Sequence, residues 1–333
     1  MKTGLTTEIS PSGEAGVAEA VRCLGRGGLV AFPTETVYGL GADATNAGAI
    51  ARLYEAKGRP LFNPLISHLA DVEAARRIGR FDAMASALAK AFWPGPLTLV
   101  LPKREDCAVA ELATAGLETI ALRVPAHPVA HAILSAFGRP VVAPSANVSG
   151  HVSPTTAAHV KSDLGGRIDL IIDGGPVDVG VESTIIGCLK TPILLRPGGV
   201  PREQIERVLG RPLDNAPVEA EGEAGQPLAP GMLTSHYAPR TRVRLNAQTV
   251  APGEALLAFG NKEVPEQDQA AAVMNLSVSG DLVEAASRLF GYLRSLDTTG
   301  ARAIAVMPVP HHGLGEAIND RLRRAAGPER PGN

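Results

Sequence analysis

Residues 57–65 read KGRPLFNPL, and their types point to anion chemistry. Lys57 and Arg59 supply two cations, and Asn63 an amide able to hold a loop by side chain–backbone bonds. Pro60 and Pro64 fix φ and remove backbone donors, so the segment runs extended or turns. A stiff segment aims its side chains, which suits a fixed anion site and equally a plain surface loop. NPLISHL follows with His68; on a strand, Leu65, Ser67 and Leu69 face one way, Ile66 and His68 the other. TIALRVPAHP (119–128) opens on Thr119 and carries Arg123 between Leu122 and Val124. A buried arginine must meet an internal carboxylate or a ligand carboxylate, and the sequence leaves both open.

Other stretches repeat the pattern. PTETVYGLGADA (33–44) sets Thr34, Glu35, Thr36 and Tyr38 just past an apolar run. Its loose G-x-G-x-x-A lacks the acid a dinucleotide site needs about twenty residues on, where KGRP stands instead. WPGPLTLVL (93–101) reads as a rigid turn before a strand. VVAPSANVSGHVSPTT (141–156) runs past Ala143 into Ser145, Asn147, Ser149, Gly150 and Ser153 ahead of a helix, the makings of a phosphate cradle without a Walker A motif. IIDGGPVDVGVESTII and LLRPGGV deliver Ser183, Thr184 and Arg196 to strand ends. Cations and hydroxyls thus recur at strand tips in Pro/Gly-stiffened loops, which points to one shared concave site. No H-E-x-x-H and no Ser-His-Asp cue accompany them. Such a site suits triphosphate or carboxylate binding, with catalysis by positioning and charge stabilisation. Each charge-assisted contact to phosphate from Lys57, Arg59 or Arg196 contributes about 1.5–3 kcal/mol.

The elements that must position these groups alternate between residues 1 and 210. Helical spacing covers 14–26, and Asn46 caps a second helix running to Ala56. Apolar strands are predicted at 29–32, 97–101, 120–124, 140–143, 168–172, 184–187 and 192–195, with helices at 81–92, 128–137 and 155–164. Several neighbouring strands lack a helix-length spacer, so the sheet is expected to be mixed. Residues 211–239 read as a linker, rich in proline and acids, whose second half, LAPGMLTSHYAP, carries docking side chains in His236 and Tyr237. From 240 to 333, strands at 255–259, 272–276 and 303–307 alternate with helices at 281–296 and 315–326, a small parallel α/β domain. His311 and His312 read as a solvated loop pair.

Bulk properties limit the options. A chain of 333 residues exceeds what one core usually serves, so two domains are expected. With 32 basic against 34 acidic residues, a net charge of −2 and 4% aromatics, strong direct nucleic-acid binding is not expected. Cys23, Cys107 and Cys188 are scattered without a C-x-x-C pair, which excludes a cysteine zinc site of usual spacing and fits a reducing cytoplasm. The N-terminus lacks the apolar region of a signal peptide, and no apolar run approaches the roughly 18 residues that span a bilayer.

PTETVYGLG, KGRPLFNPL, WPGPLTLVL, LRVPAHP, PSANVSG, ESTII and LRPGG, in this order over about residues 13–210, resemble the YrdC-like family of threonylcarbamoyl-AMP synthases. PGMLTSHYAP and the small second domain resemble its long, two-domain members. The resemblance implies an α/β fold: a twisted mixed sheet with a concave cavity, plus a small Rossmann-like C-terminal domain. It implies a nucleotidyltransferase reaction in which L-threonine, bicarbonate and ATP, with Mg²⁺, give threonylcarbamoyl-AMP and pyrophosphate. A separate tRNA threonylcarbamoyl transferase is then the expected partner downstream. By motif, Thr36, His68, Arg123, Ala143 and Ser183 would contact threonine. Lys57, Arg59, Asn63, Thr119, Ser145, Ser153, Arg196, His236 and Tyr237 would contact ATP, with Lys57, Arg59 and Arg196 taking up charge in catalysis and 211–239 lying over the site. The alternatives are a non-catalytic RNA-binding module and a different ATP-dependent carbamoyl transferase.

Overall fold

A computed structural model describes residues 5–216 and 237–327. Eleven strands form one large sheet. They are β1 (Glu8–Pro11), β2 (Val30–Pro33), β3 (Tyr38–Asp43), β4 (Ile66–His68), β5 (Leu97–Pro102), β6 (Thr119–Arg123), β7 (Val141–Val142), β8 (Leu170–Asp173), β9 (Thr184–Cys188), β10 (Pro192–Arg196) and β11 (Asp214–Asn215). Their order is β1-β8-β2-β3-β7-β4-β6-β5-β9-β10-β11. Parallel pairs (β4 with β6, β5 with β9) stand beside antiparallel ones (β2 with β3, β5 with β6), so the sheet is mixed, as the short spacers require. A second sheet holds β12 (Arg242–Arg244), β13 (Glu254–Ala258), β14 (Val273–Asn275) and β15 (Ala303–Val306), all parallel, in the order β12-β15-β13-β14. The helix Leu282–Asp297 makes the crossover from β14 to β15, and the helix Gly315–Ala326 follows β15.

Two departures from the sequence reading have plain causes. Residues 38–43, where the sequence reading placed no strand, form β3, and the glycines lie in its interior. A Cβ on Gly41 would lie 2.6 Å from the Phe32 ring, and one on Gly39 3.2 Å from Ala143 Cβ, so these glycines let β3 pack closely against its neighbours. The large sheet also reaches into the segment read as linker, because β11 pairs with β10 through Ile193 and Leu194. Residues 217–236, most of that segment, lie outside the described residues.

The main core gathers Leu53, Tyr54, Leu88, Leu99, Leu122 and Ile186. The second core, built on Leu289, Phe290, Leu293 and Ile304, also takes in Val37, Val152 and Val181 from the larger unit. The two units therefore share buried apolar surface behind the strand tips. Among the described residues no helix is long and apolar enough to cross a membrane.

Candidate active site

The site begins where a helix stops. Asn46 caps the helix Ala47–Lys57 by accepting from the Gly48 and Ala49 amides, and the helix ends at Gly58 with φ 61°. That left-handed residue redirects the chain and allows Lys57 and Arg59 to turn inward. Lys57 Nζ donates to the carbonyls of Ser145 and Asn147, each at 2.5 Å. Burial, and then the nearby Arg59, holds the Lys57 pKa well below the usual lysine range. The lysine read as a phosphate cation thus braces the Ser145–Asn147 loop from behind, and it is not part of the cavity wall. Arg59 Nη2 donates to the Pro64 carbonyl at 2.9 Å and Nε to that of Asn63 at 3.3 Å, so the proline-stiffened turn fixes the guanidinium.

Strand register brings the other groups together. Parallel pairing of β4 and β6 sets His68 beside Arg123. Ile66 and His68 face the cavity while Leu69 joins the core, as expected from NPLISHL, but Leu65, read on the opposite face, also reaches the cavity from just before the strand. Parallel pairing of β5 and β9 sets Leu97 opposite Thr184 and so brings the WPGP turn to the ESTII segment. Ser183 Oγ lies 2.7 Å from Thr98 Oγ1, and Arg196 donates to the Ser183 carbonyl through Nη2 at 2.9 Å. The resulting cavity of about 50 Å³ is lined by Thr36, Val37, Arg59, Leu65, Ile66, His68, Arg123, Ala143, Pro144, Ser145, Glu182, Ser183, Arg196 and Tyr237.

Nine of the residues singled out in the sequence therefore meet in one hollow. Lys57 and Asn63 support it from outside; Asn63 is buried, and its Oδ1 has no partner among the described residues. Thr119 opens β6 four residues before Arg123, about 13 Å along the strand at ~3.3 Å per residue, outside this cavity. Ser153 is buried behind the wall, donating from Oγ to Glu182 Oε1 at 2.5 Å. His236 lies outside the described residues. Tyr237 closes one side, with φ +65°, a strained backbone for a bulky residue and one that clusters at functional sites. Its ring stacks on Phe290 at 5.6 Å.

Two carboxylates with site roles escaped assignment from the sequence. Glu35 Oε1 accepts from Arg123 Nη2 at 2.6 Å, and its Oε2 accepts from the Ala126 amide at 3.1 Å. Arg123 thus has its internal partner and still lines the cavity. Burial alone would raise the Glu35 pKa; the Arg123 charge and these hydrogen bonds outweigh it and hold the carboxyl below its usual range. Glu182 is the second, and the signal for it was an acid directly before Ser183 in the apolar run GVESTII.

The charge balance of the site is asymmetric. Arg123 is neutralised by Glu35, and Glu182 by Arg321 from the smaller unit. Arg59, 9% exposed, and Arg196, 5% exposed, have no carboxylate at ion-pair distance among the described residues. Burial pushes the Arg59 pKa down to about 10 and lowers that of Arg196. Two buried guanidinium groups held only by carbonyls and a hydroxyl form a site poised for an anion.

His68 is the remaining titratable group of the wall. Burial, then the adjacent Arg123, depresses its pKa to about 3, so it is a neutral imidazole at working pH. Imidazole NMR is expected to show no titration of His68 between about pH 5 and 8. A midpoint near 6.5 would contradict its enclosure.

Comparison with known proteins agrees with this geometry. Residues 22–198 match the Sua5–YciO–YrdC family model, described as telomere recombination, and residues 200–327 match the model described as threonylcarbamoyl-AMP synthase, C-terminal domain. The threonylcarbamoyl-AMP synthase of Bacillus subtilis is 42% identical over 97% of this chain and 96% of its own length. The chain belongs to the Sua5–YciO–YrdC family. The threonylcarbamoyl-AMP synthase of Pyrococcus abyssi is 45% identical over 90% of this chain and 91% of its own. The crystal structure of Pyrococcus abyssi Sua5 complexed with L-threonine superposes with a TM-score of 0.85 at 40% identity, covering 97% of both chains. The mixed sheet, the small parallel domain and their packing are thus those of a two-domain Sua5 protein.

Proposed function

We propose that this chain is an L-threonylcarbamoyladenylate synthase, a nucleotidyltransferase that converts L-threonine, bicarbonate and ATP into threonylcarbamoyl-AMP and pyrophosphate. The observation that carries the reading is the pair of buried arginines, Arg59 and Arg196, without a carboxylate partner among the described residues. They line a small pocket together with Thr36, His68, Arg123, Ala143 and Ser183. The amine of threonine adds to bicarbonate with loss of water, giving a carbamate in a shielded cavity. A carbamate oxygen then attacks the α-phosphorus, and pyrophosphate leaves. Arg59 and Arg196 stabilise charge on the leaving group, where a water-poor cavity makes fixed cations most effective. Mg²⁺ enters as part of the Mg·ATP substrate. Among the described residues no cluster of three acids, histidines or cysteines offers a dedicated cage, and Mg²⁺ is ordinarily held by phosphates, water and at most one or two carboxylates. Ser145, in the cavity wall, would meet the nucleotide, with His236 and Tyr237 over it; Asn63, Thr119 and Ser153, assigned to the nucleotide by the resemblance, stand outside the cavity wall. The product would pass to a separate tRNA threonylcarbamoyl transferase, in the cytoplasm.

Enclosure disfavours the RNA-binding alternative, since cations at 5–9% exposure inside a small hollow do not track a polyanion. The test is a mass-spectrometric search for the adenylate from ATP, bicarbonate and each amino acid in turn. The threonine adduct is expected, together with threonine-dependent pyrophosphate. No adduct with threonine, or turnover that needs carbamoyl phosphate in place of bicarbonate, would overturn the reading.

A further inference from the structure

We propose that Arg321, in the smaller unit, is a positioning residue for the reaction: it fixes Glu182 as an anion in the cavity wall and, through Glu182, orients Ser153. The inference rests on the synthase reading and gives the smaller domain a part in it. Arg321 sits on the helix Gly315–Ala326 and is 0% exposed. Its Nε donates to Glu182 Oε2 at 2.8 Å and its Nη2 to the Pro197 carbonyl at 3.0 Å, one residue past Arg196. Nη1 is held by Asp320 at 2.5 Å, and the guanidinium lies over the Tyr237 ring at 5.0 Å from its centroid. One side chain of the smaller unit thus touches three pieces of the site.

The consequence for Ser153 follows from counting protons. A serine hydroxyl has one. An anionic Glu182 claims it, so Ser153 Oγ keeps only lone pairs for any further partner, which would suit a hydroxyl or amino group of a nucleoside that reaches behind the wall and would repel phosphate oxygen. Two further contacts aim at the same loops. Arg294, on the helix Leu282–Asp297, pairs with Asp163 at 2.8 Å and donates to the carbonyls of Val152 and Ser153. A Cβ on Gly180, two residues before Glu182, would fall 2.4 Å from Ser287 Cα, so that helix rests on bare backbone there. An apolar side chain at 321 would serve a mere packing contact without desolvating a charge. The charge is explained by what it holds.

Glu182 is faced by Arg321, by Arg196 from β10, and by Tyr237 and Ser153, while Asp320 of the same helix holds Arg321 and accepts from Arg324. Burial would raise its pKa, and Arg321 first, then Arg196, brings it below the usual range. Without Arg321, burial regains the upper hand, and Glu182 takes up a proton as pH falls, becoming a donor toward Ser153. The experiment uses the full chain as wild type, Arg321→Met, Arg321→Lys, Glu182→Gln and the Arg321→Met/Glu182→Gln double variant. Steady-state kcat/KM for ATP and ATP affinity by calorimetry are followed from about pH 5.5 to 8.5, with Tm alongside. Arg321→Met is expected to lose roughly tenfold or more in kcat/KM for ATP, the loss growing as pH falls, because truncating one partner of a buried charge pair leaves the other exposed to its desolvation cost. Arg321→Lys should recover part of it, and the new acid limb should vanish in the double variant. Wild-type parameters in Arg321→Met, or a pH-independent loss equally large in the Glu182→Gln background, would overturn the proposal. If Arg321→Met does not fold, Glu182→Gln decides: weakened ATP affinity at a wild-type Tm supports it, and unchanged affinity sinks it. Wild-type turnover with threonine and bicarbonate tests the synthase reading, whereas the wild-type-to-variant comparison of ATP affinity tests Arg321, so either can fail alone.

Discussion

Replacing Arg59 with alanine is expected to lower kcat/KM for threonine- and bicarbonate-dependent pyrophosphate release by about 10³-fold, the upper end of what losing one preorganised transition-state donor costs. Arg59 is buried, anchored by the Asn63 and Pro64 carbonyls, and unpaired with any carboxylate among the described residues. Its attraction for phosphate is therefore not discounted by an internal counter-charge. A long, screened surface arginine would contribute far less, about 0–1 kcal/mol. Stability should change little by comparison, because only two hydrogen bonds to carbonyls are lost, each with a net value near 1 kcal/mol. Pyrophosphate release close to wild type would remove Arg59 from the mechanism.

Glu35→Gln is expected to destabilise the protein by about 3–5 kcal/mol, since it leaves Arg123 buried without its charge partner. The pH dependence has a definite sign. The folded pKa of Glu35 is held below the ordinary glutamate value of 4.5, so this contribution is fully present above about pH 4.5 and fades as the solution is acidified through the folded pKa. Urea unfolding at neutral pH and near pH 4 gives both numbers. The wild-type protein should lose stability on acidification more steeply than Glu35→Gln. A neutral-pH cost below about 1 kcal/mol would mean that solvent or another group compensates Arg123.

Local chemistry was legible in the sequence; pairing across the chain was not. The Asn46 cap, the alternation of Ile66 and His68 against Leu69, and the helix stop before KGRP follow from spacing and side-chain type alone. The convergence of Arg59, His68, Arg123, Ser183 and Arg196 could be suspected, because the last four sit at apolar strand ends and Arg59 in a proline-stiffened turn. Glu35 and Arg123 are 88 residues apart, and Glu182 and Arg321 are 139 apart; nothing in either neighbourhood names its partner. Arg321 was the least visible. It stands beside Arg323 and Arg324 near the end of an amphipathic helix and reads as solvated surface, yet the helix turns that residue into the interface. Lys57 is a case of the opposite kind: its type suggested a phosphate contact, and the two backbone carbonyls it holds could not be read from the sequence.

The strand order carries a consequence for how the protein is made. β9 lies beside β5 and β10 beside β9, while β1 and β2 are both zipped onto β8, so late-synthesised segments complete the sheet on two fronts. A growing chain that has not yet exposed Ser183 and Arg196 holds half a binding wall and an open flank. Truncated chains that stop before β9 are therefore expected to lack the cavity, which needs the closing strands to be complete.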